Sequence, residues 1–174
     1  IKMKVVHLMR NEKFTKGIVC FYNKFFNNKE HEIVYYLEDG DPSLINKEFS
    51  IKQSEYRPVE MNGVIPYLKS LKCDYIVLHS LFLTTAEAIS LLLDPKLLNK
   101  IVWIEWGADL YSWKQKVNLR NIVRNYFNGK FRNSIPNIVC IFPPDIDNYK
   151  KTFPKSKSNV FYAPYKSYPI DEAF

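Results

Sequence analysis

Hydrophobic positions along the chain switch between two periods, and the switches mark its elements. Lys4–Met9 is a short apolar run, after which Phe14, Ile18, Phe21, Tyr22, Phe25 and Phe26 recur at helical spacing. The pattern predicts a strand and then an amphipathic helix. Glu32–Leu37 is a second β-rich run, closed by the turn cluster Glu38-Asp39-Gly40-Asp41-Pro42. Ser43–Glu60 has no firm period and reads as loop with room for one short strand. Asn62 is placed to cap a helix with apolar positions Val64, Ile65, Leu68 and Leu71, and Tyr75–His79 follows as an apolar strand.

Thr84 and Glu87 have the spacing of a capping box, in which hydroxyl and carboxylate satisfy orphan helix amides reciprocally, ahead of a helix over Ala86–Leu93. Asp94-Pro95 stops that helix. Ile101–Glu105 is strand-like and Trp106–Tyr111 reads as a loop. Ser112 and Gln115 form another box before a helix running to about Asn128, with Gly129 as its stop. Leu119, Ile122, Val123, Tyr126 and Phe127 would be the core stripe of that helix. Asn137–Phe142 is one more buried strand, Asp145–Phe153 a short helix and Asn159–Tyr162 a last strand. Pro164 and Pro169 resemble an exit linker. Strands alternating with helices predict an α/β fold, a parallel sheet with helices on both faces, because parallel strands need helical crossovers.

At 174 residues and 47% hydrophobic content the chain has the material for one core. No run of about 18 uncharged apolar residues occurs, since Ile76–Leu93 is interrupted by His79, Thr84, Thr85, Glu87 and Ser90. Ile1–Arg10 lacks the apolar region and cleavage site of a secretory signal, so the sequence points to a cytoplasmic location. Cys20, Cys73 and Cys140 are far apart among apolar neighbours, with no metal or redox spacing, and read as reduced core residues. Charge is 25 − 18 = +7, which favours anionic partners without choosing among nucleic acid, acidic lipid and phosphorylated substrate.

Ligands of such sheets bind at the carboxyl ends of the strands, which directs attention to the loops after Met9, His79, Glu105 and Phe142. Arg10-Asn11-Glu12-Lys13 has no glycine-rich dinucleotide fingerprint, which lowers the dehydrogenase reading. Glu105-Trp106-Gly107-Ala108-Asp109-Leu110-Tyr111 is the richest loop. Its glycine permits close backbone approach, its two carboxylates suit sugar hydroxyls or proton transfer, and its two aromatics suit stacking on a sugar face. The competing reading makes Trp106 and Tyr111 packing residues and has Asp109 hold the loop through local hydrogen bonds. His7 and His79, within or at the ends of strands, read first as core histidines, and no cluster has metal-ligand spacing. Lys116, Arg120 and Arg124 recur every four residues, a mutually repulsive ladder that suits an anionic partner, and Lys130 and Arg132 extend it.

The unbroken run W-G-A-D-L-Y at Trp106–Tyr111 resembles the signature of the TDP-N-acetylfucosamine:lipid II N-acetylfucosaminyltransferases, also called 4-alpha-L-fucosyltransferases, glycosyltransferase family 56. Val77-Leu78-His79-Ser80-Leu81-Phe82 resembles that family's apolar-apolar-His-x-x-Phe segment, and Lys13-Phe14 and Phe161-Tyr162-Ala163-Pro164 are also similar. One departure is Ile104-Glu105, where the family commonly has a histidine two residues before the Trp-Gly pair. The resemblance implies two Rossmann-like domains in a GT-B arrangement. Residues 1–163 would be the N-terminal, acceptor-side domain and 164–174 the start of the linker, with the C-terminal nucleotide-sugar-binding domain absent and the chain inactive alone.

The implied reaction transfers a deoxy-amino-sugar such as N-acetylfucosamine from a nucleotide donor to a polyprenyl-diphosphate-linked acceptor in bacterial surface polysaccharide synthesis. The enzyme would work peripherally on the inner face of the cytoplasmic membrane. Neither metal nor cofactor is expected, since helix dipoles and basic side chains suffice for a leaving diphosphate. Asp109 is the first candidate for general base and Glu105 the second, with His79, Trp106, Gly107 and Tyr111 on the acceptor. Lys116, Arg120, Arg124, Lys130 and Arg132 would meet membrane or phosphate. The rival is a non-catalytic module binding nucleic acid or another anionic partner through the 12 tyrosines, 12 phenylalanines and three tryptophans. Most of these fall at core-periodic positions, so nucleic acid is not expected.

Overall fold

β1 (Val5–Arg10) is buried from Val5 through Met9, the near-continuous apolar run of a strand covered on both faces. It pairs in parallel with β2 (His31–Leu37), Val5 opposite His31 and Arg10 opposite Tyr36, and β2 pairs in parallel with β3 (Arg57–Glu60). The computed structural model describes residues 3–10, 15–26, 30–37, 57–60, 64–81, 83–111, 114 and 118–164. The Asn62 cap, the Ser112/Gln115 box, Lys13-Phe14, Phe82, Lys116 and Pro169 lie outside them, as does the side chain of Arg120.

α1 (Thr15–Phe25) connects β1 to β2 and buries Ile18 and Val19. Phe25 and Phe26, assigned to the core by their period, are exposed. They belong to the open end of an aromatic cluster in which the Phe26 ring lies 5.0 Å from Tyr22 and 4.6 Å from His31. His7 is the buried floor of that cluster, its Nε2 2.9 Å from His31 Nδ1. Burial lowers the pKa of His31, opposed by the field of Glu30. α2 (Val64–Ser70) buries Val64 and Leu68, and β4 (Tyr75–His79) follows at the predicted bounds.

The strand order is β3-β2-β1-β4-β5-β6-β7, the doubly wound order of a Rossmann-like α/β fold. The chain divides within β4 into two compact units, one running to Val77 and the other from Leu78 to Pro164. In the second unit α3 (Thr85–Leu92) starts at the predicted box: Thr84 Oγ1 accepts from Glu87 N and Thr84 N donates to Glu87 Oε2 at 2.6 Å. Asp94 both follows that helix and caps the short α4 (Pro95–Leu98) by accepting from Leu97 N at 3.1 Å. β5 (Ile101–Glu105), β6 (Asn137–Cys140) and β7 (Asn159–Tyr162) are parallel neighbours, Glu105 opposite Cys140 and Cys140 opposite Tyr162. Trp106–Tyr111 is not all loop, because Ala108–Tyr111 closes one helical turn, α5.

α6 (Leu119–Ser134) departs most from the sequence reading. Gly129 is buried inside it rather than ending it, and the helix starts at Asn118, whose side chain accepts from Asn121 N at 2.8 Å. At about 100° per residue, Ile122, Val123, Tyr126 and Lys130 share one side and Asn128, Phe131 and Arg132 the other. The structure buries Asn128, Phe131 and Arg132 and exposes Ile122 (51%), Val123 (57%) and Tyr126 (61%). Three of the positions expected in the core therefore face water, Phe127 is half-buried, and Arg132, expected on the outer basic patch, is inside. The following α7 (Pro143–Thr152) buries Tyr149, whose hydroxyl meets the Arg132 carbonyl at 3.1 Å and Ser156 Oγ at 2.8 Å.

Candidate functional site

β5 alternates: Ile101, Trp103 and Glu105 are buried while Val102 and Ile104 are half-buried. Period-2 geometry thus carries the carboxyl of Glu105 to the same face as the indole of Trp103, and neither residue has exposed surface. A buried carboxylate needs donors. One oxygen, Oε1, accepts from Gly107 N. The other, Oε2, meets no hydrogen-bond donor, and the group within reach of the side chain is a second carboxyl, that of Asp145.

Two carboxyl groups share a hydrogen bond only when one is protonated. Burial pushes the Glu105 pKa up to about 8, against the Gly107 N–H that lowers it and with the negative fields of Asp109 and Asp145 adding to the rise. Glu105 then holds a proton at neutral pH and can release it slightly above. Asp145 sits in the first turn of α7, where a negative charge is favoured, and is buried. It accepts from the Tyr111 hydroxyl, which in turn accepts from Asn148 Nδ2 at 2.5 Å. Tyr111 is 57% exposed. Asp145 therefore stands between a buried acid, whose pKa it raises, and a phenol at the surface that donates to it.

Asp109 is arranged differently. Its Oδ2 accepts from Leu81 N at 2.9 Å and Trp103 Nε1 at 2.7 Å, and its Oδ1 accepts from Trp106 N at 3.1 Å. Both oxygens are occupied by donors fixed in the protein, so this buried carboxylate ties the strand ends and the Trp106–Tyr111 turn together. The two acids of the turn thus differ: the oxygens of Asp109 are engaged by three donors, whereas Glu105 Oε2 accepts from none. Arg132 lies beneath, its guanidinium carbon 5.9 Å from the Trp103 ring centroid. Burial lowers its pKa to about 10, opposed by the field of Asp109, so it remains a cation offsetting the buried acids at neutral pH.

Backbone conformation concentrates at the same strand ends. Gly107 has φ +83°, and a Cβ added there would meet Tyr111 at 4.0 Å, an ordinary contact. The left-handed turn, rather than close approach of a neighbour, requires the glycine. Ser80, just beyond β4, has φ 76°, a conformation that costs a non-glycine residue about 1–2 kcal/mol, while its N–H donates to Ile104 O at 3.0 Å. Such strain concentrates at functional loops. Neither Ser80 nor the pair Asp145 and Asn148 was singled out from sequence, though Asp145 is marked by the Pro143-Pro144-Asp145 helix start.

The structure brings Glu105, Trp106, Gly107, Asp109 and Tyr111 into one place with Asp145 and Asn148. Trp106 and Gly107 are half-buried. His79 is buried, and burial drops its pKa to about 4, which keeps the imidazole neutral at pH 7. Cys140 is equally unreactive, its thiol pushed up to about 12 by burial and then by the fields of Glu105, Asp145 and Asp109. Arg124 and Lys130 are exposed on α6. Among the described residues no group of three His, Cys, Asp or Glu side chains could hold a metal ion, and no helix is long and apolar enough to cross a membrane. No protein-family model and no curated protein matches the chain.

Proposed function

We propose that the chain is the acceptor-side Rossmann-like domain of a GT-B glycosyltransferase resembling the N-acetylfucosaminyltransferase family, and that Glu105 takes the acceptor proton. The observation carrying this reading is that Asp145, which accepts from exposed Tyr111, adjoins the buried, elevated carboxyl of Glu105. The W-G-A-D-L-Y run, which supplies Tyr111 and the turn beneath it, adds the choice of chemistry. In the reaction, a hydroxyl of a polyprenyl-diphosphate-linked sugar attacks the anomeric carbon of a nucleotide-sugar and the bond to the nucleoside diphosphate breaks. In molecules whose Glu105 is ionised, the hydroxyl proton passes to the Tyr111 oxygen as Tyr111 gives its own to Asp145, and Asp145 passes one on to Glu105, where it rests. A base with a pKa near the working pH suits such a transfer. Work at the inner face of the cytoplasmic membrane belongs to the same reading, because the acceptor is a lipid.

Turnover of a nucleotide-sugar panel with a polyprenyl-diphosphate-linked acceptor, measured on the full-length protein, tests this. Glu105→Gln should lower kcat about a hundredfold or more with the fold intact, and wild-type kcat should rise with pH to a plateau above about 8. A fully active Glu105→Gln protein would remove the residue from the mechanism.

A further inference from the structure

Helix α6 presents to water the side that its sequence makes apolar. Ile122, Val123 and Tyr126 are each more than half exposed, Phe127 beside them is half-buried with its ring 5.3 Å from Tyr126, and the opposite side of the helix is packed through Phe131 and Arg132. Isolated exposed apolar residues are ordinary, but a contiguous set on one helix marks an interaction surface. Its electrostatic surroundings narrow the choice of partner. Between Asp109 and Asp145 the sequence contains no acidic residue, and α6 carries exposed Arg124 and Lys130, with exposed Lys114 before it.

We propose that this face of α6 docks on an anionic bilayer, Ile122, Val123 and Tyr126 entering the headgroup–acyl boundary while Lys130, on the same side of the helix, meets lipid phosphate. An amphipathic helix lying in the interface binds by buried apolar area plus attraction to anionic headgroups, and tyrosine suits a boundary with one dry and one wet side. Ile122 and Val123 offer no ring on which a base can stack, so the patch fits lipid better than single-stranded nucleic acid. The surface rests on the exposure pattern of α6. It deepens the membrane part of the proposed function by naming the segment that touches lipid, and it replaces a ladder of charges with an inserted apolar face.

Flotation of the protein with vesicles of phosphatidylglycerol and phosphatidylcholine tests it. The wild type should float with anionic vesicles, and part of that binding should persist at high salt, where a purely electrostatic contact would be screened away. Ile122→Asn/Tyr126→Asn, which alters only exposed positions, should lower partitioning about tenfold or more. Lys130→Gln should lower it about fivefold at low salt and less at high salt. The proposal is overturned by a wild type that does not float with anionic vesicles, or by an Ile122→Asn/Tyr126→Asn protein that floats equally well. It is also overturned if light scattering finds a dimer that this variant abolishes, which would assign the face to a second copy. Retention of a single-stranded oligonucleotide lost in the same variant would assign it to nucleic acid. Vesicle binding does not pass through Glu105, so an inactive Glu105→Gln protein that still floats separates this surface from the catalytic reading.

Discussion

The carboxyl end of β5 and the outer side of α6 belong to one compact unit and invert the usual rule in opposite directions. At the first, Glu105, Asp109, Asp145 and Arg132 are buried; at the second, Ile122, Val123 and Tyr126 are exposed. The buried acids are stable because each has a device: Asp109 has three fixed donors, Asp145 has the Tyr111 hydroxyl and a helix start, and Glu105 keeps its proton. Among the described residues no comparable device covers the exposed α6 side chains. Polarity by itself therefore does not decide burial here; what decides it is whether a polar group finds partners inside and whether an apolar face finds one at all.

The largest expected effect tests the first half of that contrast. Asp109→Ala strips the acceptor from Leu81 N, Trp103 Nε1 and Trp106 N at once. Leaving buried donors unmade costs about 1–3 kcal/mol each, so the variant should lose about 3–5 kcal/mol and melt about 10 °C lower. A thermal scan showing an unchanged Tm would mean that the carboxylate ties nothing together.

Acidification should have the next largest effect. His79 falls from an ordinary 6.5 to about 4, so the unfolded chain binds its proton first and stability is lost as pH drops from about 6.5 to 4. That window corresponds to about 3 kcal/mol at 1.36 kcal/mol per unit. Denaturant melts at several pH values should show the acid limb flattening in His79→Gln. Glu105 acts on the other limb: its folded pKa is raised, so its contribution is full below about 4.5 and disappears as pH rises through about 8.

The smallest expected effect on stability lies on α6. Ile122→Asn should change the unfolding free energy by about 0.5 kcal/mol or less, the ordinary result for an exposed position. A loss of several kcal/mol in the same denaturant melt would show that Ile122 is packed, and would cancel the contrast between the two regions.

The alternation of β strands and helices, the capping box at Thr84 and Glu87, and the bounds of β4 and β5 were legible because local period and local caps set them. The burial of Glu105 was not read, because its place at the head of a polar loop outweighed the alternation Ile101, Trp103, Glu105 that puts it on one strand face. Nor was the inside of α6. Periodicity measures the angle between two faces and does not say which one the sheet covers, and Arg132 enters the core because Trp103 and Asp109 receive it from other elements. Asp109 and Glu105, four residues apart and chemically alike, differ in their surroundings in a way the sequence does not show. Their difference is made by Leu81, Trp103 and Asp145, which approach from elsewhere in the chain. The positive φ of Ser80 likewise follows from the loop's hydrogen bond to β5 rather than from any residue preference.

Direct titration of the Glu105 carboxyl tests the account at its centre. With carbon-13 label in the glutamate side chains, and Glu105→Gln to assign the resonance, the carboxyl carbon should titrate with a midpoint of about 8, far above the 4.5 of an ordinary glutamate. A midpoint near 4.5 would mean that Glu105 is ionised at neutral pH, that no proton is held between it and Asp145, and that the proton path from Tyr111 does not end there.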